Sequence, residues 1–185
     1  MPVYHYHRID DLERHHKLND MVFGAIWCGE SNPSQHYLDL TKKQRGKNIP
    51  FVLMHMRWDG HIGFPGGGME YGESLEEALV REMKEEYNFD VGQRAEFLCS
   101  HADDHGELHT HCFEIRVSEP ELRETIENAT RGEHFLAETQ GVFAVQVAEF
   151  PPNRGYCQVR KNNFMGSSGL QLDALVKRHG WLPLR

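Results

Sequence analysis

Pro65-Gly66-Gly67-Gly68-Met69-Glu70-Tyr71-Gly72-Glu73-Ser74-Leu75-Glu76-Glu77-Ala78-Leu79-Val80-Arg81-Glu82-Met83-Lys84-Glu85-Glu86-Tyr87-Asn88-Phe89 carries the local signals that decide the fold. A proline followed by three glycines predicts an irregular loop over residues 65 to 68, since proline removes a donor and glycine leaves the backbone free. Ser74-Leu75-Glu76-Glu77 is a capping-box pattern and predicts a helix from there to about Tyr87, with Leu75, Ala78, Leu79 and Met83 along its apolar side. Glu82, Glu85 and Glu86 then stand at i, i+3 and i+4, so helical geometry puts the three carboxylates on one side. Like charges at that spacing cost a few tenths of a kcal/mol per pair, and Glu73 adds a fourth carboxylate before the helix begins. Such a cluster calls for positive charge. A hard divalent ion takes oxygen ligands of this kind, while a solvated acidic face partnered by Arg81 and Lys84 is the plainer alternative.

Outward from this stretch, Met21 to Trp27 and Pro50 to Arg57 are short apolar runs with β-branched and aromatic residues, and both read as buried strands. Asp59-Gly60 is a turn dipeptide, with a short return strand over His61 to Phe64. Further strands are expected at Glu96 to Ser100, Leu108 to Val117 and Val142 to Val147, and helices at Glu119 to Ala129 and Leu170 to His179, the second ending before Gly180 and Pro183. The pattern is that of a mixed α/β chain, and neither a repeat nor a Gly/Ser/Pro-rich linker divides residues 1-185, so a single domain is expected.

Composition limits the function classes. The chain has 185 residues, of which 39% are hydrophobic and 26% charged, within the range of an ordinary globular domain. No apolar run approaches the roughly 20 residues of a membrane helix, and the polar start Met1 to Arg8 lacks the apolar core of a secretory signal, so an intracellular protein, cytoplasmic or nuclear, is expected. Cys28, Cys99, Cys112 and Cys157 form no C-x-x-C pair and suit reduced thiols. Twenty Lys and Arg against 28 Asp and Glu leave a net charge of -8, which repels phosphates and argues against broad nonspecific binding to nucleic acid. A polyanionic substrate would need local help from a cation or a few placed arginines. The one dense basic run, Lys42-Lys43-Gln44-Arg45-Gly46-Lys47, reads first as a solvated loop.

The intervals from Gly67 through Glu73, Arg81-Glu82-Met83 and Glu85-Glu86 to Asn88-Phe89 resemble the box of the Nudix hydrolases, G-x5-E-x7-R-E-U-x-E-E-x-G-U with U bulky and apolar. Eight of nine specified positions are met. The departure is Asn88 in place of glycine, and asparagine is the usual non-glycine residue that tolerates the left-handed backbone such a helix end needs. The resemblance implies the Nudix fold, a mixed sheet sandwiched between helices, and hydrolysis of a nucleoside diphosphate linked to another group. It implies that Glu82, Glu85 and Glu86, with the carbonyl of Gly66, hold Mg2+ or Mn2+, and that Glu73 and Arg81 pair to fix the helix against the glycine loop at Gly67. Bound ions would neutralise the pyrophosphate and lower the pKa of an attacking water.

Phe51 to Gly67 and Asn162 to Leu172 are similar to the Nudix branch that decaps RNA and hydrolyses inosine diphosphate, a similarity spanning about residues 20 to 176. That branch implies substrate contacts at Arg57 and Phe64, a metal-side histidine at His101, a base contact at Gln171, and a homodimer. Its substrate-contacting histidine on the first strand falls near Gly24 here, which leaves the preferred base open. Read without the resemblance, Arg57 is a partner for Asp59, Phe64 and Phe164 are core residues, and Gln171 is an exposed helix residue. His101, His105, His109 and His111 lack a standard zinc spacing, so an independent zinc site is not expected. Gly166-Ser167-Ser168-Gly169 is not a nucleophile elbow and reads as a loop or helix start. The expected activity is metal-dependent hydrolysis of purine nucleoside diphosphates or of an RNA cap. ADP-ribose or NAD-type pyrophosphatase activity, and an inactive Nudix domain that senses RNA or a nucleotide, are the alternatives.

Overall fold

The structure is a computed structural model, and it describes residues 5–9, 19–31, 49–150 and 154–181. In chain order the elements are β1 (Tyr6–Ile9), β2 (Asp20–Ser31), β3 (Ile49–Arg57), β4 (Ile62–Gly63), β5 (Gly66–Gly68), α1 (Leu75–Tyr87), β6 (Ala95–Asp103), β7 (His109–Arg116), α2 (Glu119–Ala129), β8 (Thr139–Gln146), β9 (Glu149–Phe150), β10 (Arg154–Gly155), α3 (Tyr156–Val159) and α4 (Ser168–Arg178). Eight strands form one mixed sheet in the order β1-β6-β7-β2-β3-β4, with β5 paired to β2 and β8 paired to β3. The β2–β7 pairing is parallel and the others in the sheet are antiparallel.

Alternation along the strands sends side chains to two cores, one on each face. Val22, Ile26, Phe51, Leu53, Phe113 and Ile115 meet Ala78, Leu79, Met83 and Tyr87 of α1 and Leu122 of α2. Ala25, Trp27, Val52, Met54 and Cys112 meet Leu172, Leu175 and Val176 of α4 on the other face. The sheet is therefore sandwiched between helices. None of Cys28, Cys99, Cys112 and Cys157 is joined in a disulfide.

Both long helices of the first face begin where their capping boxes place them. The Ser74 N–H donates to Glu77 Oε2 at 2.8 Å, while Ser74 Oγ accepts the Glu77 N–H at 3.2 Å. Ser118 and Glu121 make the same reciprocal pair ahead of α2. Helix α1 stops at Asn88, whose φ of 48° and ψ of 37° lie in the left-handed region. There the Asn88 N–H donates to the Lys84 carbonyl and the Phe89 N–H to the Met83 carbonyl. Asparagine thus serves at the one box position where the sequence lacks glycine.

The glycine run departs from expectation. Instead of an irregular loop, Gly66–Gly68 forms a strand paired with Phe23, Val22 and Met21. The reason is close approach. A Cβ on Gly66, whose φ is 144°, would lie 2.0 Å from the Val22 carbonyl oxygen, and one on Gly67 would lie 2.6 Å from Glu82 Oε1. Glycine here lets backbone pack against backbone and against a carboxylate. Strands β1, β9 and β10 and the short helix α3 have no counterpart among the elements expected from sequence. The basic run at Lys42 to Lys47 lies outside the described residues.

Candidate active site

Gly66–Gly68 and α1 build the site together. Glu86 is 1% exposed, and its Oε2 accepts the Gly66 N–H at 2.8 Å. Its Oε1 is buried with no hydrogen-bond partner. Burial pushes the Glu86 carboxyl up to about 8, a shift the Gly66 N–H opposes and the Glu82 and Glu138 charges reinforce. Glu82 is raised as well, first by burial and against the pull of Arg81.

Arg81 gathers the remaining carboxylates. Its Nε and Nη2 donate to the two oxygens of Glu73 at 2.8 and 3.0 Å, and Nη2 also reaches the Gly68 carbonyl at 2.8 Å. Nη1 donates to Glu82 at 2.8 Å and to Glu85 at 3.2 Å. The guanidinium beside it holds the Glu73 carboxyl below its ordinary range. The fork both clamps helix to glycine strand and supplies the positive charge that the three-carboxylate cluster requires.

Three residues without a sequence signal complete this side. His55 lies buried on β3, its Nδ1 3.1 Å from Thr139 Oγ1 and 3.8 Å from Glu86 Oε2. Burial, then the Arg57 charge, pulls its imidazole down to about 4, so it is neutral at pH 7. The segment between α2 and β8 supplies His134, whose N–H donates to the Glu85 carbonyl and whose Nδ1 is 4.0 Å from Glu85 Oε2, and Glu138, 3.8 Å from the same ring. Nothing in the spacing of the box points more than fifty residues ahead to Glu138.

Arg57 sits at the end of β3 on the His55 side, its Nε 3.8 Å from Asp59 and without a hydrogen bond. Phe64 is buried in the core beneath α4 with Ile62 and Leu172. Gln171 is 0% exposed, which rules out an exposed helix residue. Its Nε2 donates to Ser167 Oγ at 3.0 Å, while Oε1 has no partner. Ser167 Oγ lies 2.7 Å from Thr110 Oγ1. His101 is buried on β6 with Nδ1 unpartnered, and among the described residues no hydrogen bond or ion pair joins it to the glutamates. It stands opposite Thr110 of β7, which stands opposite Met21 of β2, which stands opposite Gly68, so three strand steps separate it from the glycine strand.

The two halves meet at Gly63. A Cβ there would lie 3.4 Å from Ser168 Oγ at the start of α4 and 3.5 Å from His55 Nε2. At Gly24 a Cβ would lie 2.6 Å from Met83 Sδ, so the packing of α1 leaves no room for a histidine at that position.

The donor set fits a hard divalent cation: only oxygen ligands, two of them on carboxyls whose charge is disfavoured until a cation arrives, and one buried oxygen without a partner. Among the described residues no three such groups converge as they stand, because Glu82 and Glu85 are turned to Arg81.

The family described as "Nudt16-like: U8 snoRNA-decapping enzyme-like" matches residues 37–180. A U8 snoRNA-decapping enzyme of Homalodisca vitripennis is 29% identical over 149 residues, 74% of this chain and 78% of that protein. The Bos taurus U8 snoRNA-decapping enzyme is 31% identical over 137 residues, 71% of this chain and 70% of that one. In solved structures, a mutant of the Bacillus subtilis pyrophosphohydrolase BsRppH aligns with a TM-score of 0.57 at 17% identity, over 97% of this chain and 94% of its own. A mutT/nudix family protein from Listeria innocua aligns with a TM-score of 0.56 at 14% identity, over 88% and 94%. These structural likenesses carry the fold. With the family match over most of its length and the Nudix box folded as a glycine strand against a glutamate helix, the chain belongs to the Nudt16-like family and is a Nudix pyrophosphohydrolase.

Proposed function

We propose that this enzyme hydrolyses the pyrophosphate bond of purine nucleoside diphosphates of the inosine type and of the cap of RNA. Glu82, Glu85 and Glu86, with the Gly66 carbonyl, are the residues that would hold Mg2+ or Mn2+. The ions supply charge neutralisation at the pyrophosphate and a water of lowered pKa. The observation that carries the reading is Glu86, whose Oε2 is fixed by the Gly66 N–H while the buried Oε1 is left without a partner.

The chain's own groups divide the work. Gly66 N–H orients the Glu86 carboxylate, and neutral His55 backs it without adding charge. Burial keeps the Glu86 carboxyl protonated near pH 7 in the ion-free protein, and a bound cation would favour its carboxylate form. Arg57 offers a guanidinium with an unused Nε to a phosphate oxygen. By the branch resemblance Phe64 and Gln171 would contact the substrate, from their buried places beneath and on α4, while His101 stands three strand steps from the glycine strand rather than beside the glutamates. The relatives named as U8 snoRNA-decapping enzymes support the RNA-cap reading, and a homodimer rests on the branch resemblance alone.

The test is substrate profiling of purified protein with Mg2+ and Mn2+ against IDP, ADP, ADP-ribose, NAD and capped RNA. Turnover of IDP or capped RNA well above ADP-ribose and NAD is expected. The reverse order would replace the reading with a dinucleotide pyrophosphatase, and absence of turnover with retained nucleotide binding would make the protein a sensor. Gln171→Ala should change the IDP to ADP ratio, since a buried hydrogen-bond mismatch is worth about 1–3 kcal/mol.

A further inference from the structure

Strand pairing gathers a carboxylate and two imidazoles at the start of β2 and β7, and none of the three belongs to the box. In the parallel register Asp20 stands opposite His109 and Val22 opposite His111, so both rings share a face of the sheet with the Asp20 side chain. Asp20 Oδ1 lies 3.2 Å from His109 Nδ1 and 4.0 Å from His111 Nε2. Asp20 is 8% exposed, and this oxygen is buried without a hydrogen-bond partner. A buried carboxylate oxygen left in that state is costly until something positive meets it. The far side of the His111 ring is already held, with Nδ1 2.7 Å from Ser100 Oγ. An imidazole that donates from Nδ1 to Ser100 keeps the Nε2 lone pair on the Asp20 side, which is how a metal-binding histidine is usually oriented. Burial pulls the His111 imidazole below its ordinary value against the Asp20 charge, so the ring stands in the neutral form that ligates.

We propose that Asp20, His109 and His111 form a second cation site, selective for Zn2+ over Mg2+, which staples the first residues of β2 and β7 beside the glycine strand. Two nitrogens and one oxygen suit a borderline ion such as zinc, whereas the all-oxygen set of the box suits Mg2+ or Mn2+. Zinc bonds of about 2.0–2.1 Å set tetrahedral ligands about 3.3 Å apart, a spacing that Asp20 and His109 already have. His111 is the outlying donor. It must close by about 0.7 Å on Asp20 to reach that spacing. The two rings, whose centroids stand 6.4 Å apart, must close as well, so the described residues hold no finished cage before the ion arrives. The partly exposed His109 ring gives the ion its way in from solvent. On the other side the Asp20 carbonyl accepts the Met69 N–H at 3.0 Å, and Met21 pairs with Gly68, so an ion here would brace the end of the glycine strand. The histidine spacing alone does not announce this site, because its carboxylate comes from a strand far upstream in the sequence.

The test is metal uptake by the full chain, stripped with chelator and then kept in millimolar Mg2+ to fill the box. Calorimetry should show one equivalent of Zn2+ bound, and the melting temperature should rise with it. Co2+ in place of zinc should give the intense visible absorption of a four-coordinate site. His109→Ala and Asp20→Asn should lose these signals, and Ser100→Ala should weaken zinc binding roughly 10- to 100-fold by releasing the His111 ring. Hydrolysis with Mg2+ should stay nearly native in His109→Ala. A native protein that takes up no Zn2+ overturns the inference even if a variant fails to fold, and leaves Asp20 and His109 as an ordinary ion pair. Zinc uptake that persists in His109→Ala and Asp20→Asn but is lost in Glu86→Gln overturns it as well, by assigning the ion to the box. Because the readout is uptake and not turnover, failure of the nucleotide reading would leave this site standing.

Discussion

Oε2 of Glu86 accepts the Gly66 N–H at 2.8 Å, joining the last glutamate of the box to the glycine strand twenty residues before it. One bond thereby sets the distance between a helix and a strand that between them hold every expected metal ligand except His101. It also fixes which carboxylate oxygen is occupied and which is left for a ligand.

Replacing Glu86 with glutamine should abolish most hydrolysis while the fold persists. Loss of an ion-holding carboxylate removes several kcal/mol of transition-state stabilisation, on the order of a thousandfold or more in kcat. The Gly66 bond survives in the amide, and one member of a like-charge cluster is gone, so the melting temperature should hold or rise. Near-native turnover would remove Glu86 from the mechanism.

The same carboxyl makes ion-free stability depend on pH. Its folded pKa of about 8 lies above the unfolded value, so between about 4.5 and 8 the native state binds more protons than the unfolded one. Stability contributed by the protonated form is present below about 4.5 and is lost as pH rises through 8. Thermal unfolding in a chelator should show a midpoint that falls across this window, and a shallower fall in Glu86→Gln. A midpoint equally steep in both proteins would assign the slope to other groups.

Arg81→Lys should be destabilising despite the retained charge. Lysine cannot span Glu73, Glu82, Glu85 and the Gly68 carbonyl at once, and a lost charged hydrogen bond costs about 1.5–3 kcal/mol. Denaturant unfolding should register that loss, and millimolar Mg2+ should restore part of it by taking the place of the missing positive charge. Unchanged stability would show the fork to be dispensable.

Asn88→Ala should cost about 1–2 kcal/mol, because alanine incurs the left-handed penalty that asparagine relieves, and the bond from Lys84 Nζ to Asn88 Oδ1 goes with it. Asn88→Gly should keep most of the native stability. Equal loss in both variants would locate the effect in the Lys84 contact rather than in the backbone.

Neutralising Lys42, Lys43, Arg45 and Lys47, a run outside the described residues, tests whether a chain of net charge -8 accepts RNA along a local basic track. Capped-RNA cleavage should fall and its salt dependence flatten by a slope of roughly 0.7 per lost phosphate contact, with IDP hydrolysis nearly constant. Loss on neither substrate would return the run to a solvated loop.

What was legible in the sequence was what is local. The capping box at Ser74, the apolar stripe of α1 and the intervals of the box depend on neighbours within a turn or two, and α2 spans Glu119–Ala129 as expected. The rest depended on chain segments meeting in space. Gly66–Gly68 reads as a break until β2 arrives to pair with it. His55 and Thr139 belong to no motif, yet strand pairing puts them beside Glu86, and Glu138 joins them from more than fifty residues away. Gln171 looks like any polar helix residue until α4 packs onto the sheet and buries it against Ser167 and Thr110. Sequence spacing along one helix determined which carboxylates share a face, because helical geometry is local. Only the tertiary structure decided which backbone amide, imidazole and hydroxyl chain they and the glutamine would meet, because burial and hydrogen-bond direction are set by contacts between distant parts of the chain.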